Sequence, residues 1–219
     1  MVGRASKSNK ASATADKVIP ADDGRARCSW ATGTSVDLLY RNYHDEEWGV
    51  PLHEDRRLFE FIVLEGAQAG LSWRTVLGKR EAYRRAFHDF DIAATLAMSD
   101  AHLEKRLIDP ALIRNRLKIF SARNNARAAM QIIDESGSLD AWLWSWVDGK
   151  PLLNHWRSQG EVPATSGISD ALSKALHKRG FRFVGSTIMY AFMQATGMVN
   201  DHLDSCFCHP RNHGKAKRA

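Results

Sequence analysis

The sequence predicts an all-α fold, and three observations support this. Between residues 37 and 197 there is little alternation of apolar and polar residues, which is the pattern of a half-buried strand. Apolar residues instead recur at helical spacings, and serines that can cap a helix precede several of these stretches. No segment repeats at a period of about 20–50 residues, so a repeat architecture is not expected.

The first clear helix is expected from Asp55 to about Ala67. Its apolar stripe is formed by Leu58, Phe61 and Ile62. Ser72 can cap the next helix, which runs toward Phe87. Ser99 can cap a short helix that ends near Asp109.

The second half begins with a long predicted helix, from Arg114 to about Glu135, that is basic on one side. Gly137 and Ser138 interrupt the helical pattern before a helix that carries Trp142, Trp144 and Trp146. Proline and glycine residues between Lys150 and Gly167 predict a loop.

Two helices joined by a tight hairpin are expected near the end of the chain. Ser169 caps the helix over Asp170–Arg179, Gly180 ends it, and a last helix covers Ser186–Thr196. Free amides at the start of this last helix could hold a phosphate, as could nearby cations; the candidates are Gly185, Ser186, Thr187 and Lys174. Taken alone, the pattern is more typical of a plain helical hairpin with a solvated basic face.

Charge and composition narrow the class of partner. The chain has 219 residues, with 31 Lys and Arg against 25 Asp and Glu, and a formal net charge of +6. This excess fits a polyanion, nucleic acid first and an anionic membrane second. No apolar run is long enough to span a bilayer. Three cysteines form no disulfide framework and suit a reducing cytoplasm.

The two ends of the chain are expected to be tails. Residues 1–26 contain almost no large apolar side chain and lack the apolar middle of a secretory signal, so a disordered tail is expected. Residues 211–219 form a short basic tail. One domain is therefore expected over residues 27–210, and the absence of heptads suggests a monomer.

A metal site is suggested by Cys28, His44, His202 and Cys206, two near each end of the expected domain. Tetrahedral zinc takes Cys and His ligands, and a closed four-ligand site is usually structural. His202 and Cys206 would share one face of a helix, but Cys28 and His44 have no standard metal spacing. Buried cysteines with a surface histidine are an equally good interpretation of the spacing.

Glu65 is placed unusually for a charged residue. It follows Phe61 by four positions and Ile62 by three, so it continues the apolar stripe of its helix. Glutamate is rarely buried without a partner, and an inward carboxylate beside Gly70 and Trp73 could line a pocket. A glutamate at a helix end that binds nearby backbone amides explains the position equally well, and an indole is more often part of the core.

Six stretches match one known family: Cys28-Ser29-Trp30, residues 43–51, residues 64–73, residues 170–176, residues 179–185 and Val199-Asn200-Asp201-His202. With them the chain resembles the type I bacterial 3-methyladenine DNA glycosylases, members of the helix-hairpin-helix glycosylase superfamily. The resemblance covers about residues 27–210. The gap between Cys28 and His44 is a few residues longer than is usual in the family.

The resemblance implies a fold, a cofactor and an activity. The fold is the all-α helix-hairpin-helix glycosylase fold, with a structural zinc ion that joins the N- and C-terminal segments through Cys28, His44, His202 and Cys206. The implied activity is hydrolysis of the N-glycosidic bond of 3-methyladenine in alkylated double-stranded DNA, in the bacterial cytoplasm. The implied residues are Glu65 for catalysis, Tyr43, Trp73 and Trp48 for base binding, and Gly70 and Leu71 for entering the duplex where the base leaves.

The charge of the lesion gives this site a physical rationale. The nucleotide must leave the stack before its base can be reached. Adenine methylated at ring nitrogen 3 is cationic, and a negatively charged Glu65 among aromatic rings would attract it. We expect Glu65 to accept hydrogen bonds from the adenine amino edge while the aromatic rings sandwich the base.

Two positions bear on the reaction type. Asn200 stands where many superfamily relatives carry an aspartate, so Asp201 is a second-rank catalytic candidate that could instead orient His202. Ser186 and Thr187 stand where lyase-type relatives place a lysine. Base removal without strand cleavage is therefore expected.

Three rival interpretations remain at the level of sequence. A non-enzymatic, zinc-containing helix-hairpin-helix DNA-binding module explains the charge and the hairpin but not Glu65 on an apolar stripe. A zinc hydrolase would keep an open ligand position, which four protein ligands would close. A cysteine-based enzyme would need a nucleophile context that no Cys–His pair here provides.

Overall fold

The computed structural model describes residues 23–32 and 38–212. The expected tails therefore lie mostly outside the described residues. The described part of the chain is helical, with the helices α1 (Leu38–Glu46), α2 (Asp55–Gln68), α3 (Trp73–Leu77), α4 (Arg80–Ala86), α5 (Ile92–Leu96), α6 (Asp100–Leu107), α7 (Arg116–Ser136), α8 (Leu139–Trp144), α9 (Gly167–Lys178) and α10 (Ser186–Ala195). Short 3-10 turns lie between some of them, and no described helix could cross a membrane.

The central helix of the fold is α2. All of its residues from Leu58 to Ala67 are buried, because α3, α7, α8 and α10 pack around it. Asp55 in its first turn accepts hydrogen bonds from the backbone N–H groups of Leu139 and Asp140, and so stabilises the start of α8. The end of α2 carries Glu65 into the interior.

The longest helix, α7, begins where the Asn115 side chain accepts a hydrogen bond from the backbone N–H of Lys118. It ends at Gly137, whose φ of 84° suits glycine at a helix C-terminus. It packs against α2, α5, α6 and α8. The expected helix over residues 114–135 is confirmed within two residues.

The helix expected from Ser72 toward Phe87 is wrong in one respect. Ser72 does cap a helix, accepting the N–H of Thr75 at 3.2 Å, but α3 ends at Leu77 and α4 starts afresh at Arg80. Gly78 lies at the break, and glycine in a helix interior costs about 1 kcal/mol relative to alanine.

The start of α9 also differs from the expectation. Its cap is Ser166, not Ser169: the two side chains each accept the other's backbone N–H, at 3.1 and 2.8 Å. This capping box starts the helix at Gly167. Glutamate or glutamine usually occupies the second position, so a serine there gives no clear signal in the sequence.

A short pair of parallel strands is the one departure from helix in the described residues. Leu152–Leu153 (β1) pairs with Val199–Asn200 (β2), and β1 lies inside the segment between Lys150 and Gly167 that is expected to be a loop. Beyond β2, Asp204 N–H donates to Trp156 O at 2.8 Å. These bonds tie the segment after α8 to the chain after α10, where the metal-ligand candidates lie.

Candidate functional site

A cavity of about 170 Å³ forms where α1, α2, α3 and α10 meet. Glu65 lies at its wall and is only 3 % exposed. This burial fits an inward carboxyl, and no hydrogen bond in the described residues joins Glu65 to the backbone amides that the helix-end alternative requires. The lining residues are Trp30, Tyr40, Tyr43, Trp48, Glu65, Gln68, Trp73, Gln159, Ala191 and Gln194.

Aromatic rings form most of the cavity wall. The centroids of Tyr43 and Trp73 are 5.4 Å apart, and those of Trp30 and Trp48 are 5.1 Å apart. A third ring stacked between two others needs about 7 Å between them, twice the normal contact distance. Tyr43 and Trp73 therefore form one wall and cannot hold a base between them as a sandwich.

Glu65 makes no hydrogen bond to any group in the described part of the chain, and Trp73 Nε1 is likewise buried without an acceptor there. Burial raises the pKa of Glu65 to about 8. The same burial, together with the nearby Glu65 carboxyl, raises the pKa of Tyr43 well above its usual value. A pKa of about 8 means that the Glu65 carboxyl is mostly protonated at neutral pH, whereas the sequence analysis expects a negatively charged Glu65.

A second buried glutamate on α2, Glu60, has charged partners and serves as a comparison for Glu65. Glu60 accepts hydrogen bonds from Arg80 Nε at 2.6 Å and from Arg84 Nε at 2.9 Å. Burial raises the pKa of Glu60, but these two guanidinium groups outweigh it and hold the pKa below its usual value. Glu60 is thus a paired ion of the core, whereas Glu65 is a buried acid without such partners in the described residues.

The segment after Glu65 opens the cavity toward a second one, of about 350 Å³. Gly70, Leu71 and Thr187 line it together with Glu65. Leu71 is 42 % exposed, which is uncommon for a leucine, and Gly70 has a φ of 76°. The turn after α2 and the start of α10 therefore lie on the same side of the molecule, next to the cavity of about 170 Å³.

The candidate phosphate-binding residues of the hairpin differ in whether their side chains are already engaged. Gly185 is the N-cap of α10 without a side-chain cap, and Lys174 is exposed on α9. The Ser186 hydroxyl, in contrast, contacts Ser169 Oγ at 3.0 Å and the Asp170 carboxylate. Its side chain holds α10 against α9, so only its backbone amide is available at the helix start.

Cys28, His44, His202 and Cys206 come together as one buried group that could hold a metal ion. The Cys206 Sγ is 3.5 Å from His44 Nε2 and from His202 Nδ1, and the Cys28 Sγ is 3.6 Å from His202 Nδ1. The alternative of a surface histidine is wrong, since His44 and His202 are buried.

The other nitrogen of each histidine is also engaged. His44 Nδ1 bonds the Asp45 carboxylate at 2.8 Å, and His202 Nε2 bonds the Trp48 carbonyl at 2.8 Å. Partners of this kind orient histidines that bind metals. They also connect this group to the cavity, because the Trp48 ring lines it and Tyr43 precedes His44.

The expectation that Asp201 orients His202 is wrong. The Asp201 carboxylate accepts hydrogen bonds from the side chains of Asn154, Trp156, Tyr190 and Gln194, at 2.7–2.8 Å. None of its hydrogen bonds in the described residues reaches His202. Tyr190 and Gln194 belong to α10, and Asn154 and Trp156 follow β1. Asp201 therefore holds these two segments together.

Sequence analysis did not assign Trp30, Tyr40, Gln68 or Gln194 to the cavity. Gln68 could have been found, because it lies three residues after Glu65 on the same face of α2. Trp30 and Gln194 reach the cavity only through the packing of distant segments.

A family model for methyladenine glycosylases matches residues 30–209. The DNA-3-methyladenine glycosylase 1 of Escherichia coli (strain K12) is 49 % identical over 186 residues, which cover 85 % of this chain and 98 % of that protein. The DNA-3-methyladenine glycosylase of Haemophilus influenzae is 44 % identical, covering 83 % of this chain and 97 % of that protein.

Solved structures agree with these relatives. A crystal structure of a 3-methyladenine DNA glycosylase I superposes with a TM-score of 0.81 at 50 % identity, covering 84 % of this chain and all of that one. The 3-methyladenine DNA glycosylase I of Staphylococcus aureus has a TM-score of 0.80 at 34 % identity, covering 84 % of this chain and 96 % of that one.

The fold and these relatives thus define a glycosylase, an enzyme that acts on N-glycosyl bonds. More particularly, the chain belongs to the methyladenine glycosylase family. This membership removes the rival interpretations as a DNA-binding module without activity, a zinc hydrolase or a cysteine-based enzyme.

Proposed function

We propose that this protein excises 3-methyladenine from alkylated double-stranded DNA by hydrolysing its N-glycosidic bond. The observation that carries the proposal is the buried Glu65 carboxyl, without a protein partner, in a cavity lined by aromatic rings. A relative 33 % identical has been solved as a variant in complex with 3-methyladenine. A cavity of about 170 Å³ is slightly larger than one of about 150 Å³ that holds benzene, and its mouth is open.

The charge of the lesion selects it. A flipped 3-methyladenine nucleotide carries a positive charge, and aromatic faces attract cations. Near Glu65 this charge favours ionisation, so the carboxyl releases its proton to the solvent and the resulting carboxylate accepts hydrogen bonds from the amino edge of the base. Neutral adenine carries no such charge, so Glu65 would stay protonated and would not attract it.

The chemical step then needs little assistance. The cationic base is a good leaving group, since the electrons of the breaking glycosidic bond neutralise it. Water attacks the anomeric carbon of an oxocarbenium-like sugar and loses a proton to the solvent, and the DNA phosphates stabilise the positive charge of that sugar. Asp201 is unsuited to activate this water, because four side chains already donate to its carboxylate.

DNA would be held by the turn after α2 and by the hairpin between α9 and α10, as in a helix-hairpin-helix domain. Gly70 and Leu71 would enter the gap left by the flipped base, which suits their exposed position beside the cavity. The backbone amides at Gly185, Ser186 and Thr187, with Lys174 nearby, would bind a phosphate. The net charge of +6 favours binding of DNA. One copy of the domain over residues 27–210 provides all of these contacts, so the protein is proposed to act as a monomer.

A structural zinc ion is proposed at Cys28, His44, His202 and Cys206. Zinc–ligand lengths of about 2.3 Å to sulfur and about 2.0 Å to nitrogen place a tetrahedral sulfur–nitrogen pair about 3.5 Å apart. The distances of 3.5–3.6 Å fit this requirement. Four protein ligands leave no position for a reacting water, so the ion would hold the chain ends and orient Tyr43 and Trp48.

The function is tested with duplex DNA that contains either 3-methyladenine or 7-methylguanine. We expect release of free 3-methyladenine, measured by chromatography. Release of 7-methylguanine should be much slower, because this base is also cationic but presents a carbonyl oxygen where adenine presents the amino group that Glu65 binds. Because Ser186 and Thr187 offer no amine, an abasic duplex should stay unnicked. Failure to release 3-methyladenine would overturn the proposed function, and nicked abasic strands would overturn its restriction to base removal.

A further inference from the structure

The turn that follows α2 has a defined geometry. Ala69 has φ −42° and ψ 114°, Gly70 has a φ of 76°, and the Leu71 N–H donates to Gln68 O at 2.6 Å. These values define a type II turn, in which the third residue needs a positive φ and is usually glycine. No other atom crowds the place of a Gly70 side chain, so the backbone geometry alone requires glycine.

A lysine from a distant helix binds this turn. Lys118, in the first turn of α7, donates from Nζ to Ala67 O at 2.8 Å and to Ala69 O at 2.6 Å. The amine is half-buried, and burial lowers its pKa. Both acceptors are carbonyls at or just after the C-terminal end of α2, where the helix dipole also favours a cation.

The bond to Ala69 O controls the orientation of one peptide group. Type I and type II turns differ mainly by a rotation of roughly 180° of the peptide between their second and third residues. In this turn that peptide joins Ala69 to Gly70. Because a trans peptide is planar, a carbonyl held toward Lys118 directs the Gly70 N–H the opposite way.

The same helix also holds the hairpin. Asn125, seven residues after Lys118, accepts the Arg182 N–H at 2.8 Å and donates to Arg182 O at 3.1 Å. Two turns of α7 therefore separate its contact to the turn after α2 from its contact to the α9–α10 hairpin. These are the two segments proposed to bind DNA. Lys118 provides the contact to the first segment, and Asn125 provides the contact to the second.

We propose that Lys118 is a positioning residue that holds the turn of residues 68–71 in its type II form, ready to enter the duplex. This inference rests on the proposed function, since it assumes that Gly70 and Leu71 occupy the gap left by the flipped base. Lys118 acts through the backbone carbonyls that it binds and contacts neither the base nor the phosphates.

The test compares Lys118→Met, Lys118→Arg and the matched control Lys79→Met in the full-length protein. Lys79 also donates its Nζ to a backbone carbonyl, Pro110 O at 2.9 Å, at a position outside both cavities. For each variant one measures single-turnover release of 3-methyladenine from duplex, binding of free 3-methyladenine, and the salt dependence of duplex binding.

For Lys118→Met we expect roughly tenfold to a hundredfold slower release from duplex, because a turn misplaced by about 1 Å can cost that much. Binding of the free base and the salt slope should stay at the wild-type values. On a logarithmic scale, the release rate of Lys118→Arg should lie closer to that of the wild type than to that of Lys118→Met. Lys79→Met should match the wild type.

Four results would overturn the inference alone. Unchanged release by Lys118→Met, or equal losses in both methionine variants, would remove the positioning role. A salt slope reduced by about one would make Lys118 a phosphate contact. Parallel loss of free-base binding would make it part of the cavity. A wild-type protein that releases no 3-methyladenine would overturn the proposed function and this inference together.

Discussion

Glu65 and Glu60 show that burial alone does not identify a functional acid. Both carboxyls lie in α2 and are almost fully buried, but only Glu60 is compensated by arginines. An uncompensated buried carboxyl costs stability when it ionises. In this protein the uncompensated carboxyl, Glu65, lies at a cavity wall. This is the arrangement expected if a cationic ligand provides the missing partner.

The raised pKa of Glu65 predicts a specific pH dependence of stability. Because its folded pKa of about 8 lies above the ordinary 4.5, the folded state binds an extra proton between these values, and stability falls as pH rises through this range. Relative to Glu65→Gln, the wild type should lose up to about 1.4 kcal/mol of unfolding free energy per pH unit.

Urea unfolding of both proteins at about pH 5.5 and about pH 7.5 measures this difference. Glu54→Gln, an exposed glutamate before the same helix, serves as the control and should follow the wild type. Identical pH profiles for the wild type and Glu65→Gln would show that position 65 titrates normally and is not desolvated.

At the residue scale, the inward direction of Glu65 was predictable from its spacing to Phe61 and Ile62. Its protonation was not, because the sequence does not show that Glu60 has arginine partners and Glu65 has none. Trp30 and Gln194 were also beyond reach, since they enter the cavity from segments far apart in the chain.

Among the elements, α2 and the α9–α10 hairpin meet at an unusually close contact. A Cβ at Gly66 would lie 3.0 Å from Phe183 Cβ and 3.2 Å from Phe183 O. Phe183 itself has a φ of 57°, a left-handed conformation that is rare for a bulky residue. Glycine at position 66 therefore allows the hairpin to pack directly beside the helix that carries Glu65.

Gly66→Ala should destabilise the protein by about 1–3 kcal/mol, because the new methyl group meets backbone atoms that cannot move independently. It should also weaken duplex binding by displacing the hairpin. The matched control is Gly167→Ala in the first turn of α9, where no atom lies within 4 Å of the added carbon. Thermal unfolding and duplex titration of both variants check this, and equal behaviour would contradict the packing role of Gly66.

The elements were predictable to different degrees. Long amphipathic helices such as α2 and α7 have a strong periodic signal, and their bounds are confirmed within one or two residues. The break at Gly78 and the pairing of β1 with β2 were not predicted. A two-residue parallel pair has no local pattern, and it forms only because the segment after α8 lies beside the chain after α10.

For the whole molecule, the group of Cys28, His44, His202 and Cys206 joins segments 158–178 residues apart along the chain, and no covalent bond does so. If zinc occupies it, the energy of metal binding is part of the folding energy. Tyr43 precedes His44, and the Trp48 carbonyl bonds His202. Loss of the metal would therefore also loosen the cavity that these two aromatic residues line.

Cys206→Ser should therefore lose bound zinc and lower the melting temperature by roughly 10 °C, a change that corresponds to a few kcal/mol. Cys208→Ser, which changes the half-buried cysteine outside the group of four, should retain its metal. Elemental analysis combined with calorimetry checks both, and a metal-free Cys206→Ser protein as stable as the wild type would end the zinc proposal.

The most direct test of the central claim is single-turnover release of 3-methyladenine from duplex DNA by the wild type and by Glu65→Gln. Glutamine keeps the shape of the side chain but cannot ionise beside the cationic base. We predict that Glu65→Gln binds duplex within about twofold of the wild type and releases the base about 100–1,000 times more slowly. Release at the wild-type rate would show that the buried carboxyl plays no part in recognising the lesion.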